Sequence, residues 1–84
     1  MLQLYTSPIC PYCRKVEHAL DEAGIAYEER SVTEPQHRDT VVELGGQMQV
    51  PFLVDPEREV HMYESNDIIE YARTHYGDST TATT

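Results

Sequence analysis

The stretch Ser7-Pro8-Ile9-Cys10-Pro11-Tyr12-Cys13 constrains this chain more than any other, because its prolines fix where one element ends and the next begins. Leu2 and Leu4 alternate with polar Gln3, the signal of a short strand, and the segment from Pro8 to Pro11 breaks it. Pro11 suits the first position of a helix, where its missing N–H has no helical partner to lose. From there Cys13, Val16, Leu20 and Ala23 recur at helical spacing, with Ala19 alongside, and Gly24 stands where a helix-ending glycine belongs. Cys10 therefore falls just before the first turn of a helix and Cys13 inside it.

Placement there gives the first cysteine a chemical role. It faces unpaired backbone N–H groups and the positive end of the helix dipole, and both favour a thiolate. Arg14 and Lys15 add positive charge one turn on, while Cys13, deeper in the helix, suits a thiol that attacks only after Cys10 has reacted. Pro11 and Tyr12 restrict the loop between them. A Cys-x-x-Cys pair can also be half of a zinc site, which needs about four ligands. The remaining candidates, His18, His37, His61 and His75, fall on different elements without a close histidine pair, so a reactive pair is the better reading. His18 reads as an exposed helix residue.

The rest of the chain reads as one small domain with no internal repeat and no domain boundary. Ile25 to Val32 is a second strand, weakly alternating through Glu28-Glu29-Arg30. Thr33, Glu34 and Pro35 start a second helix, whose apolar stripe is Val41, Val42 and Leu44 and whose stop is Gly45-Gly46. Strand, helix, strand in about 30 residues implies a right-handed crossover with the first two strands parallel. Val50 to Val54 and Glu59 to Tyr63 form an antiparallel hairpin about Asp55-Pro56-Glu57-Arg58. Ser65 caps a last helix with Asp67 in its first turn and Ile68, Ile69, Ala72 and Tyr76 on its buried side; Gly77 ends it. Residues 78–84 are expected to be a disordered polar tail. The order β-α-β-α-β-β-α is the plan of an α/β, thioredoxin-like domain with a four-stranded mixed sheet and three helices.

Charge narrows the partners. Fifteen Asp and Glu against six Lys and Arg give a formal net charge of -9, which repels nucleic acid. The same composition is that of an acidic soluble protein or of one adapted to high salt, where screening removes self-repulsion. No apolar run approaches the roughly 20 residues of a membrane helix. The first residues, Met1-Leu2-Gln3-Leu4-Tyr5, read as a strand and not as a targeting segment, so a cytoplasmic location and a monomer are expected. In such a reducing compartment a Cys-x-x-Cys pair is more often redox-active or metal-binding than a permanent staple.

Cys10-Pro11-Tyr12-Cys13 after a short N-terminal strand resembles the active site of dithiol glutaredoxins, and the likeness extends over residues 1–77. Gln49-Val50-Pro51 stands where glutaredoxins and the N-terminal domains of glutathione transferases open their third strand. X-Pro bonds are cis in only about 5–6 % of cases, so the sequence alone favours trans. The resemblance implies a cis Pro51 that turns the Val50 backbone toward a bound thiol. Glu64-Ser65 is similar to the pair with which transferases hold a γ-glutamyl group, the acid receiving the ammonium and the serine with the helix N-terminus receiving the carboxylate. Two departures stand out. Ser7 occupies the position where dithiol glutaredoxins usually carry a lysine, with Arg38 on the second helix a candidate to replace it. The last-helix signature is closer to transferases, yet an 84-residue chain is not expected to hold their all-helical second domain.

What the resemblance implies is a glutathione-type thiol–disulfide oxidoreductase. Cys10 would attack a mixed disulfide and Cys13 would resolve it, with Pro11, Tyr12, Arg38, Val50, Pro51, Glu64 and Ser65 around the small thiol. That thiol would be glutathione or γ-glutamylcysteine, acting on disulfide or glutathionylated proteins, with no bound cofactor and no metal. The alternative from another class is an iron–sulfur carrier, a dimer ligated through Cys10; Pro11 and Cys13 argue against it.

Overall fold

The computed structural model describes residues 1–77. The expected tail, 78–84, lies outside them. The elements are β1 (Leu2–Thr6), α1 (Pro11–Glu22), β2 (Tyr27–Ser31), α2 (Pro35–Gly45), β3 (Phe52–Asp55), β4 (Val60–Met62) and α3 (Ser65–Tyr76). They form one four-stranded sheet in the order β2-β1-β3-β4. β1 and β2 run parallel, with Leu4 beside Glu29, while β3 is antiparallel to both β1 and β4. This is the thioredoxin-like architecture that the sequence predicts.

Side-chain alternation along β1 divides the core in two. Leu2 and Leu4 point to one face of the sheet and join Val16 and Leu20 of α1, Leu53, and Ile68 and Ala72 of α3. Tyr5 points to the other face, where Val32, Val54, Phe52 and Val41 of α2 surround it. Helices α1 and α3 thus cover one face and α2 the other. The fully buried Leu, Ile and Phe side chains each contribute about 1.5–3 kcal/mol through burial, before ordering costs are set against them.

α1 begins and ends as its sequence dictates. Cys10 is its N-cap and Pro11 its first residue. At the other end Gly24 takes φ 71°, its N–H donates to the Asp21 carbonyl, and the Ile25 N–H donates to the Leu20 carbonyl. That pair of bonds closes the helix, and the apolar pair Leu20 and Ile25 seals it.

Several details differ from the sequence reading. β2 spans Tyr27–Ser31, inside the expected Ile25 to Val32, because the Ile25 N–H is taken by the Leu20 carbonyl in closing α1. β3 begins at Phe52, two residues later than expected, because Pro51 has no N–H to give the ladder. β4 is shorter than expected because Glu59 sits in the turn at φ 56°. The cap of α3 is Glu64, and Ser65 is the first helical residue. On α2 only Val41 is buried; Val42 and Leu44 are each 44 % exposed, so the expected stripe is a single anchor.

Candidate functional site

Cys10 is partly exposed and Cys13 fully buried, and both are free thiols. As the N-cap of α1, Cys10 places its sulfur over the first turn, where Sγ accepts the Cys13 N–H at 3.2 Å. The cysteine thus does what a serine or aspartate cap does, satisfying one of the helix's unpaired donors. The same sulfur lies 3.8 Å from the Val50 carbonyl, to which the thiol donates. Two segments 40 residues apart therefore meet at one atom. The Val50–Pro51 peptide is cis, as the family resemblance implies, and Pro51 is buried while Val50 faces the cleft.

The two thiols differ in acidity for physical reasons. Burial pushes Cys13 up to about 12, and the hydrogen bond and charge of Cys10 and the charge of Glu17 act in the same direction; only the Ser7 backbone opposes them. Cys13 is therefore held as a thiol at neutral pH. The added cations are already engaged: Arg14 donates to the Ser7 carbonyl at 3.3 Å and pairs with Glu17 at 2.6 Å. Lys15 Nζ donates to Asn66 Oδ1 at 2.8 Å, tying α1 to α3.

Beside Cys10 opens a cleft of about 300 Å³. Tyr12 and Lys15 of α1 form one wall, Gln49, Val50 and Pro51 the second, and Tyr63, Glu64, Ser65 and Asn66 the third. The third wall is the N-terminus of α3, whose first N–H groups have no intrahelical partners and point outward. With Ser65 it suits a carboxylate, the Lys15 ammonium stands in the same cleft, and Glu64 suits an ammonium. A molecule carrying both an amine and a carboxylate matches this polarity.

Of the residues expected from sequence, the structure gathers Tyr12, Val50, Pro51, Glu64 and Ser65 in the cleft and Cys10 and Cys13 at its edge and behind it. Pro11 is exposed at the first turn and shapes the helix start without lining the cleft. Arg38 is exposed on α2 and does not line the cleft either. Lys15, Gln49, Tyr63 and Asn66 do line it and were not assigned a site role from sequence. Tyr63 and Asn66 flank Glu64-Ser65 directly, which was the available signal. Tyr63 is fixed by its hydroxyl, which donates to the Gln47 carbonyl at 2.7 Å and accepts the Gln47 N–H at 3.2 Å. Among the described residues no group of three or more His, Cys, Asp or Glu is arranged to hold a metal ion, and no helix is long and apolar enough to cross a membrane.

Comparison with known proteins places the chain in a family. Over 51 residues the chain is 39 % identical to glutaredoxin 1 of Rickettsia conorii, a match covering 57 % of this chain and 50 % of that one. It is 44 % identical over 45 residues to the global transcriptional regulator Spx of Listeria monocytogenes, covering 52 % of this chain and 34 % of Spx. The chain thus matches between a third and a half of these relatives' lengths. Among solved structures, an unclassified glutathione S-transferase from Bombyx mori superposes with a TM-score of 0.76 at 25 % identity, over 93 % of this chain and 38 % of that one. The family model for the N-terminal domain of glutathione S-transferases matches residues 4–80. By that match this chain belongs to the glutathione S-transferase N-terminal domain family, within the glutaredoxin and thioredoxin-like group.

Proposed function

We propose that this protein is a thiol–disulfide oxidoreductase that uses a γ-glutamyl thiol, glutathione or γ-glutamylcysteine, to reduce mixed disulfides and protein disulfides in the cytoplasm. The observation that carries the reading is the position of Cys10 Sγ. It caps α1, accepts the Cys13 N–H and touches the Val50 carbonyl, a residue that lines the cleft, so a candidate nucleophile stands beside that groove. The Cys10 thiolate attacks the sulfur of a small-thiol mixed disulfide, takes that thiol and releases the reduced protein. Release then takes one of two routes: a second small thiol attacks Cys10, or Cys13 displaces the first and closes the Cys10–Cys13 disulfide.

The cleft supports the choice of thiol. Glu64 would receive the ammonium of the γ-glutamyl end, and Ser65 with the α3 N-terminus its carboxylate, leaving the thiol aimed at Cys10. Lacking a lysine at position 7, and with Arg38 outside the cleft, the site leans on the γ-glutamyl end, which both candidate thiols share. The test is turnover of a glutathionylated peptide with glutathione or γ-glutamylcysteine as sole reductant. Cys10→Ser abolishes turnover on this reading, whereas Cys13→Ser retains it and loses reduction of protein disulfides. An active Cys10→Ser protein refutes the assignment.

A further inference from the structure

Glu17 lies one helical turn beyond Cys13, on the same side of α1, and its side chain is only 15 % exposed. Oε1 accepts from Arg14 at 2.6 Å, but Oε2 is buried and no donor among the described residues reaches it. Its neighbour is another carboxylate. Glu29 pairs with Leu4 in the β1–β2 register, so it shares the sheet face on which Leu4 packs against Val16, the residue before Glu17. Thr6, on that same face of β1, donates its hydroxyl to Glu29 Oε2 at 2.9 Å. An ionised carboxylate can only accept, so Glu29 offers Glu17 Oε2 no donor, and that oxygen is left able to take up a proton.

We propose that Glu17, whose Oε2 is buried without a donor, is the proton acceptor that activates Cys13 when Cys13 closes onto Cys10. In that step the Cys13 proton passes to the Glu17 carboxylate, and Cys13 Sγ forms a bond to Cys10 Sγ. The bond from Cys10 Sγ to the small thiol's sulfur breaks, and that thiol leaves with the electron pair as a thiolate. Cys13 is oxidised and the small thiol reduced, so electrons and protons balance. The inference rests on the oxidoreductase reading above and concerns only its dithiol branch.

The electrostatics suit the role. Burial first, then the shared hydrogen bond and charge of Glu29, push the Glu17 carboxyl above the ordinary carboxylate range, with Arg14 pulling the other way. A base raised toward neutrality accepts a thiol proton with less driving-force mismatch. From β2, Tyr27 also senses Glu17 and Glu29, together with Asp21 of α1. On the α3 side, the polar link to α1 is Lys15 to Asn66.

Charge alone predicts the opposite effect, which makes the idea testable. An ionised Glu17 disfavours a Cys13 thiolate, so neutralising it without a base role would speed closure. The experiment mixes reduced protein with glutathione disulfide, quenches with acid, and follows by mass spectrometry the Cys10 mixed disulfide and its conversion to the intramolecular disulfide between pH 4 and 9. Closure in Glu17→Gln is expected to slow by roughly 10²-fold and to lose its acidic limb. Closure as fast as or faster than in the parent overturns the proposal while leaving the oxidoreductase reading standing; a parent that forms no Cys10 adduct overturns both. Should Glu17→Gln fail to fold, Glu29→Gln gives the second reading. Removing the Glu29 charge is expected to move the acidic limb to lower pH, and an unmoved limb overturns the proposal.

Discussion

At the scale of single residues, the chemistry turns on an asymmetry between two thiols one helical turn apart. Cys13 is fully buried and held protonated up to about 12, while Cys10 is partly exposed and touches the Val50 carbonyl at the cleft wall. In the reduced protein, iodoacetamide is therefore expected to label Cys10 first and to leave Cys13 unmodified at pH 8, read by peptide mass spectrometry; equal labelling would contradict the burial. Cys13 also carries a stability signature. Its folded pKa lies above the ordinary cysteine value of about 8.5, so the stability it contributes is fully present below that pH and is lost as pH rises toward about 12. Asp55 has the opposite sign. Burial alone would push its carboxyl up, but hydrogen bonds from Tyr71, Tyr76, Arg58 and the Glu57 N–H outweigh that and hold it below its ordinary value. Its contribution is present above about 3.9 and is lost as pH falls through the lower folded value. Asp55→Ala leaves the hydroxyls of Tyr71 and Tyr76, now bonded at 2.6 and 2.8 Å, without their acceptor, and is expected to cost about 2–3 kcal/mol in urea unfolding. The placement of the two cysteines was legible because a proline and a helix start fix where Cys10 stands. The Asp55 network was not, because the tyrosines that complete it lie 16 and 21 residues away and meet it only through the packing of α3 on β3.

Elements were legible where local signals agree and not where packing decides. α1 runs between Pro11 and Gly24 as the sequence requires, since cap, periodicity and stop all point to one answer. β2 alternates poorly because it is an edge strand with Glu28 and Glu29 exposed, and its pairing with β1 is what makes it a strand. Val42 and Leu44 look like core residues on a helical wheel, yet α2 has little of the molecule beneath it and buries Val41 alone. Where α2 ends, Gly45 is required by contact and not by backbone conformation: a Cβ there would collide with the Tyr63 hydroxyl and ring. Tyr63 in turn lines the cleft and packs on Phe52 at 4.7 Å. Gly45→Ala is thus expected to displace Tyr63, to cost about 1–3 kcal/mol of stability and to raise KM for the small thiol. In a Tyr63→Ala background the stability cost of Gly45→Ala should shrink toward zero; an undiminished cost would break the link between α2 and the cleft wall.

For the whole molecule, topology brings the site together. The order β2-β1-β3-β4 sets the end of β1, the start of β3 and the start of α3 side by side, so Cys10, Val50 and Ser65 converge from three parts of the chain. The family resemblance foretold that convergence; residue periodicity could not, because it carries no information about which ends meet. It also suggested Arg38, which the exposed face of α2 holds outside the cleft. A net charge of -9 on a domain this small repels itself at low ionic strength. Between 0.01 M and 1 M salt the Debye length shrinks from about 30 Å to about 3 Å, so the melting temperature is expected to rise by several degrees across that range; a flat profile would show that the acidic surface carries no such strain. The central claim is that Cys10 is a nucleophile served by a γ-glutamyl cleft. It is tested most directly by steady-state reduction of a glutathionylated peptide with glutathione or γ-glutamylcysteine as the only thiol, comparing the parent with Cys10→Ser and Cys13→Ser. Turnover that vanishes in Cys10→Ser and survives in Cys13→Ser is the predicted result; turnover that survives loss of Cys10, or is absent from the parent with both thiols, would contradict it.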